Sequence, residues 1–365
     1  MTPFTHRHAA HCESGVMANL LSHHGAPVSE AAAFGLASAL SFAYLPFVKI
    51  NGFPLIAFRM PPKAIIKGLR RPFGLRLRFE TFSNPLAGQD RLDGLLAAGQ
   101  VVGAQTSVYW LPYFPPEMRF HFNAHNLVIY GREGDDYLVS DPVGEEPVRC
   151  PSADMTRARF AKGVLAPKGL IYTLEPPQQP RPAAAHWRRA IARTCRTMLA
   201  PFPLVGVRGI RMLARRIARL DPAAEHSREW VGHVVRMQEE IGTGGGGFRF
   251  LYAAFLQEAA EAAERPALAA QADALLAIGD AWRMFALRAA RMIRAREPFV
   301  PGTLAGLLND IAERETQFFR QVIAGAPRDG RDRERAVLFG AGDKRCPVND
   351  KEIFNVVGLV ELIEY

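Results

Sequence analysis

The sequence predicts an α+β domain followed by an all-α one. Three observations predict it. A helical pattern at the N-terminus gives way to a series of short segments rich in β-branched and aromatic residues. A proline-dense stretch, EPPQQPRPAAA (175–185), then interrupts any regular element. From His186 to Gln321 the chain is dominated by Ala, Leu, Arg and Glu at helical spacing. The expected division is a first domain over 1–176, a Pro-rich linker over 177–186, a helical domain over 187–324, and a tail over 325–365 that ends in EIFNVVGLVELIEY and reads equally as helix or strand.

The elements follow in order. Cys12, Val16, Leu20 and His23 or His24 recur at helical intervals, with Gly25 as a stop and Pro27 just beyond, so a short helix is expected with Cys12 in its first turn. A second helix is expected from Ser29 to about Leu40, then strand-like segments around FVKI and PLIAFRM. DRLDGLLAAGQ reads as a helix ending near Gly99, and VVGAQTSVYWL after it as a strand. Three further strands are expected in HNLVIYGREG, DDYLVSDP and GLIYTLEPP, each bounded by turn residues. Beyond the linker, the helical pattern breaks at Pro201, Pro203, Gly242 to Gly247, Pro266 and Pro298.

Composition narrows the function. With 365 residues, 48% hydrophobic and 22% charged, the chain has the balance of a globular protein with a proper core. The first twenty residues carry histidines and Glu13 and lack an apolar h-region, so no secretory signal is expected. The run AAAFGLASALSFAYLPFV contains Gly and Pro and lacks membrane flanks, so no transmembrane span is expected. Four cysteines, at 12, 150, 195 and 346, show no CxxC spacing, which fits a reducing cytoplasm. The net charge of +9 comes mainly from arginine, concentrated in 181–220 and 288–334. These arginines alternate with Ala and Leu at helical spacing and accompany no nucleic-acid motif; a solvated helix face is the first reading, an acidic protein partner the second, and nucleic acid the last.

The chemistry centres on RHAAHCESGVMANLLSHHG (7–25). The positive end of a helix and a nearby imidazolium both favour the thiolate, which is the nucleophilic form of cysteine. Cys12 has the first by position; the second must come from a histidine that the fold brings close. His125 is favoured because it opens the run HNLVIYG, where a strand would hold the ring, and Asp141 in LVSDPVG sits where an antiparallel neighbour would present a carboxylate to it. Cys12, His125 and Asp141 form the expected triad. His121, four residues earlier, is the rival base. Asp135 and Asp136 sit in a turn where acidic residues serve solvation. His11, His23 and His24 match no zinc spacing, so no metal site is expected, and Cys150, Cys195 and Cys346 read as structural. In the run Gly242–Gly247 there is no GK[ST] and no preceding strand, which favours a hinge or a close helix approach over phosphate binding.

This order of Cys, His and Asp resembles that of papain-like enzymes. The closer resemblance is to the family of butirosin biosynthesis protein H. It rests on His11-Cys12-Glu13-Ser14, Phe34-Gly35, Tyr109-Trp110-Leu111-Pro112-Tyr113, His125 with Gly131 and Asp141, and GTGGGGFRFLYAAFLQEAA (242–260), spanning roughly residues 5–324. The resemblance implies a papain-like N-terminal domain and a cysteine-dependent acyltransferase that takes an acyl group from an acyl-carrier-protein thioester and passes it to an amine or similar small acceptor. A thioesterase, amidase or cysteine peptidase on the same triad is the alternative, and a non-catalytic carrier-binding module a third. No bound cofactor is implied, since a phosphopantetheine arm of the partner would carry the acyl group. Tyr109, Tyr113, Gly244 and Gly245 are assigned to substrate binding. Papain-like peptidases place an oxyanion-donating Gln shortly before the nucleophile. Here that stretch has His6, which leaves His6, the backbone N–H of Cys12 and Gln105 as candidate donors.

Overall fold

The computed structural model describes residues 4–50, 52–241 and 245–325. Helix α1 (Cys12–His23) begins at the cysteine, with His11 as the N-cap that accepts the Ser14 N–H. Helix α2 (Glu30–Leu36) starts at its Ser29 cap but ends before the expected Leu40. The uninterrupted apolar run gives no polar signal for the change, and Ser38 at φ +55° turns the chain directly into β1 (Leu40–Ile50). Strand β1 pairs with β2 (Phe53–Arg59) as an antiparallel hairpin. Two short helices, α3 (Ala64–Gly68) and α4 (Arg70–Phe73), lead to β3 (Leu77–Glu80). Helix α5 (Pro85–Ala97) starts under the Asn84 cap and stops ahead of Gly99, as its pattern predicts. Strand β4 (Val102–Thr106) is shorter than expected, because the chain leaves the sheet at Ser107 in a 3-10 turn over Val108–Trp110.

The long strands β5 (His125–Glu133) and β6 (Asp136–Ser140) form the expected hairpin. After them come β7 (Val148–Pro151), helix α6 (Ser152–Arg159) and β8 (Ile171–Leu174), of which only β8 was legible in the sequence. The six strands form one antiparallel sheet in the order β3-β8-β4-β5-β6-β7. Among the described residues, the Pro-rich segment separates β8 from six helices: α7 (Ala184–Met198), α8 (Gly206–Ala218), α9 (Glu225–Glu239), α10 (Arg249–Ala262), α11 (Ala267–Ile293) and α12 (Pro301–Ala324). The chain is thus an α+β region followed by a helical one.

One apolar core runs through both regions. Val16, Phe34, Phe42 and Phe58 from α1, α2 and the β1–β2 hairpin share a cluster with Trp187, Phe255, Trp282 and Phe319 of the helices. A second cluster, including Leu92, Leu127, Ile129, Tyr137 and Met155, lies on the sheet under α5 and α6. The edge of the molecule that carries Cys12 is therefore packed from both sides. Among the described residues, no helix is long and apolar enough to cross a membrane. Of the expected tail only Gly325 is described; residues 326–365, with Cys346, lie outside the described residues.

Candidate active site

The fold brings Cys12, His125 and Asp141 together. His125 is the first residue of β5, and Asp141 follows the last residue of the neighbouring strand β6, so the two side chains meet at the same end of the sheet. His125 Nε2 donates to Asp141 Oδ2 at 2.6 Å, and both residues are buried. With Nε2 on Asp141, Nδ1 is the nitrogen left for the sulfur of Cys12. Burial by itself pulls the His125 pKa down. The Asp141 carboxylate outweighs it, Cys12 adds to the effect, and the ring ends at about 10. At neutral pH this is an imidazolium beside a cysteine at a helix N-terminus, an arrangement that supports a thiolate nucleophile.

Asp141 is itself held. Tyr113 Oη donates to Oδ2 at 2.8 Å and the Val143 N–H donates to Oδ1 at 3.2 Å. Phe114, the next residue along, sets its ring edge-on to His125 with centroids 5.8 Å apart. The segment after β4 thus grips both members of the His–Asp pair from one side.

On the other side, the chain ahead of α1 is tied down by Glu30 in the first turn of α2. Its carboxylate accepts the N–H groups of Ala10 (2.9 Å) and His11 (2.8 Å) and the Ser14 hydroxyl (3.0 Å). Glu13 is fully buried. It accepts the N–H groups of Ile65 and Ile66 at the start of α3 and pairs with Arg59 at 3.3 Å. Gly15 lets α1 approach the Asp141 loop: a Cβ there would stand 2.6 Å from both Ala9 and Pro142. These supports depend on residues far apart in the chain, so sequence reading missed Glu30 altogether and saw Glu13 only as part of the motif around Cys12, without its partners at Arg59, Ile65 and Ile66.

Several expected residues have other partners. His6 Nε2 donates to the Gly144 carbonyl at 3.1 Å and Nδ1 accepts from Ser140 Oγ at 2.8 Å, so both ring nitrogens are engaged. Together with the Ala9 N–H donated to Pro142 O, His6 stitches the N-terminal segment to both flanks of Asp141. The Gln105 amide donates to the carbonyls of Asn123 (2.8 Å) and Leu165 (3.1 Å), which uses both its hydrogens. Neither side chain is free for an oxyanion. Of the three expected donors the Cys12 N–H remains. In the first turn of α1, Ser14 N–H is taken by His11 Nδ1 and Gly15 N–H by the His11 carbonyl, while the Cys12 N–H has no acceptor among the described residues.

The rival base His121 is exposed and stacks on Tyr109 at 4.1 Å, away from the His125–Asp141 pair. Tyr109 lines an open cleft with Trp110, Arg119 and Arg157, whereas Tyr113, also expected at substrate, is the donor to Asp141. Gly244 lies outside the described residues. Gly245 opens a turn in which Glu239 accepts the Gly246 N–H, and a carboxylate in that place is the wrong charge for a phosphate cradle. Cys150 and Cys195 are buried, and burial pushes both thiols up to about 12.

Residues 11–142 match the family described as butirosin biosynthesis protein H, N-terminal, and these residues hold all of the triad. The chain carries that family's N-terminal domain. Residues 153–322 match a domain of unknown function, DUF4872, so the two matches meet between Asp141 and α6 rather than at the Pro-rich segment. No curated protein matches the chain. Among solved structures, a C39-like peptidase from Bacillus anthracis is similar at a TM-score of 0.33 and 14% identity, covering 48% of this chain and 96% of that one; so slight a likeness has no bearing on the activity. In the butirosin-type domain the cysteine stands at the head of α1, the histidine opens β5 and the aspartate directly follows β6.

Proposed function

We propose that the protein is a cysteine-dependent acyltransferase that moves an acyl group from a carrier-protein thioester to an amine. The observation that carries this reading is the buried Cys12–His125–Asp141 arrangement at the N-terminus of α1. Cys12 Sγ attacks the thioester carbonyl, the C–S bond to the carrier's phosphopantetheine arm breaks, and the departing thiolate takes the proton from His125. The acceptor amine then attacks the acyl-cysteine carbonyl. His125 receives its proton as the C–S bond to Cys12 breaks, which restores the thiolate–imidazolium pair. The carbonyl oxygen of each tetrahedral intermediate is stabilised by the Cys12 N–H. Exchange between thioesters is close to thermoneutral, so the first step needs no external energy.

Transfer is favoured over hydrolysis by the seclusion of the site. Cys12 and His125 are each 4% exposed and Asp141 1%, and an acyl-cysteine in such surroundings meets water rarely. An acidic carrier suits the arginines on α7, on α8 and at the C-cap of α8, of which Arg193, Arg196, Arg215 and Arg219 are exposed and form no ion pair among the described residues. The test is intact-mass measurement after incubating the purified protein with a panel of acyl-carrier thioesters. An acyl adduct on Cys12 that persists in buffer and discharges to an amide when an amine is added supports the reading. Discharge in buffer alone makes the protein a thioesterase, and carrier binding with no adduct makes it a binding module.

A further inference from the structure

The glycine run of the helical region has a role that neither phosphate binding nor a hinge accounts for. Four consecutive residues, Gly245, Gly246, Gly247 and Phe248, stand at φ +87°, +57°, +56° and +68°. The last is a phenylalanine in a backbone region that favours glycine. A Cβ at Gly246 would fall 2.5 Å from the Phe250 ring, and one at Gly247 2.4 Å from Phe58. The turn is held from below. Glu239 accepts the Gly246 N–H, and Arg249 Nη1 donates to the Gly247 carbonyl at 2.7 Å. Arg249 is itself fully buried in a two-bond pair with Glu315, whose carboxylate also accepts the Trp282 indole N–H. Strain of this kind persists only where the surroundings over-determine it, and it marks a side chain that must be somewhere in particular.

That side chain reaches the catalytic helix. The Phe248 ring is 1% exposed, stacks on Phe34 of α2 with centroids 4.9 Å apart, and stands perpendicular to the His11 ring at 5.2 Å. His11 is anchored through Nδ1, which lies 2.8 Å from Ser14 Oγ and 3.3 Å from the Ser14 N–H; among the described residues its buried Nε2 has no hydrogen-bond partner. The far side of the ring is therefore kept across the first turn of α1 by packing, from Phe248 and Phe34. Burial, with Arg59 and His125 adding to it, holds the His11 pKa well below its ordinary value, so the ring stays uncharged beside the His125 imidazolium. Cys12 is the next residue.

We infer that Phe248 is a positioning residue of the catalytic centre: the helical region, through this one ring, holds His11 across the N-terminus of α1 and so sets Cys12 toward His125. This rests on the reading of Cys12 as the nucleophile. Two regions matched by separate families would then form one site, with the second supplying no reacting group but fixing the geometry of the first.

A double-mutant cycle on the full chain tests it. The readout is the rate of Cys12 alkylation by iodoacetamide as a function of pH, located by peptide mass, which needs no acyl donor. The variants are Phe248→Leu, which keeps apolar bulk without the ring, His11→Asn, which keeps a good N-cap without the imidazole, and the pair. Phe248→Leu is expected to slow alkylation at neutral pH about tenfold and to shift its profile to higher pH. In the His11→Asn background the same change is expected to alter the rate less than twofold. Where Phe248→Leu does not fold, Phe248→Gly suits the backbone at φ +68° and replaces it in the cycle. A wild-type profile in Phe248→Leu, or an equal effect in both backgrounds, overturns the proposal. A wild-type Cys12 no more reactive than a free thiol at any pH instead sinks the nucleophile reading beneath it.

Discussion

His125 holds its proton against burial, and that balance decides what can be measured at single residues. Its pKa, raised from 6.5 to about 10, means that the folded state binds the proton more tightly than the unfolded chain. The resulting stability is fully present below pH 6.5 and is lost as pH rises through about 10. In His125→Ala, the fall of the thermal midpoint over that window should flatten, and turnover should drop by roughly a hundredfold or more through loss of the general base. His121→Ala should leave both nearly unchanged, because that ring stacks on Tyr109 at the surface. Cys12→Ser should abolish turnover and keep the circular dichroism spectrum; residual activity there would exclude Cys12 as the nucleophile. Tyr113→Phe deletes one of three hydrogen bonds to the Asp141 carboxylate and should slow turnover by about tenfold without unfolding, the scale of one bond to a charged group. That Cys12, His125 and Asp141 would meet was legible because each sits at a point the local pattern marks: a helix start, a strand start, and the residue after a strand. Tyr113 as the partner of Asp141 was not, because only the return of the chain after β4 brings the two together.

At the scale of elements, length decides what the sequence discloses. The helix α1, the hairpin β5–β6 and the six long helices repeat their pattern over enough residues to be read, and the breaks between the long helices fall at the prolines and glycines expected, except the one between α8 and α9 near Pro222. The strands β3 and β7 and the helices α3, α4 and α6 have four to eight residues each, too few for a period to show. The early end of α2 was hidden for a different reason: an apolar run buried throughout looks alike as helix or strand. Nor could spacing reveal the buried pair of Arg249 on α10 and Glu315 on α12, which joins elements distant in sequence under the Phe248 turn. Breaking it leaves an unpaired charge in the core, so Glu315→Gln should cost about 3–5 kcal/mol in denaturant unfolding. Replacing both partners, Arg249→Met with Glu315→Leu, should recover much of that loss. It should not recover all of it, since the Trp282 indole N–H would still lose its acceptor.

For the whole molecule, the shared core and the excess charge point the same way. A core continuous from α1 to α12 leaves the helical region little freedom to move away from the cysteine, and it leaves most of the arginines on the outer faces of the helices. Exposed charge of this kind adds little to folding, but it acts at distance on a partner. With a net charge of +9 and Arg193, Arg196, Arg215 and Arg219 unpaired, attraction to an acidic carrier protein is screened over about 8 to 10 Å at moderate ionic strength. The Kd for carrier should therefore rise by at least about tenfold between low and high salt, mostly through slower association. Reversing two charges, Arg215→Glu with Arg219→Glu, should weaken carrier binding and flatten its salt dependence. The same variant should capture the acyl group from a small diffusible thioester at the wild-type rate, because neither arginine touches the triad. Titration calorimetry at several salt concentrations measures the first effect, and intact mass with the small thioester the second. A Kd indifferent to salt would leave the arginine faces without this role, and equal slowing with the small thioester would mean that the two substitutions act through the fold rather than through docking.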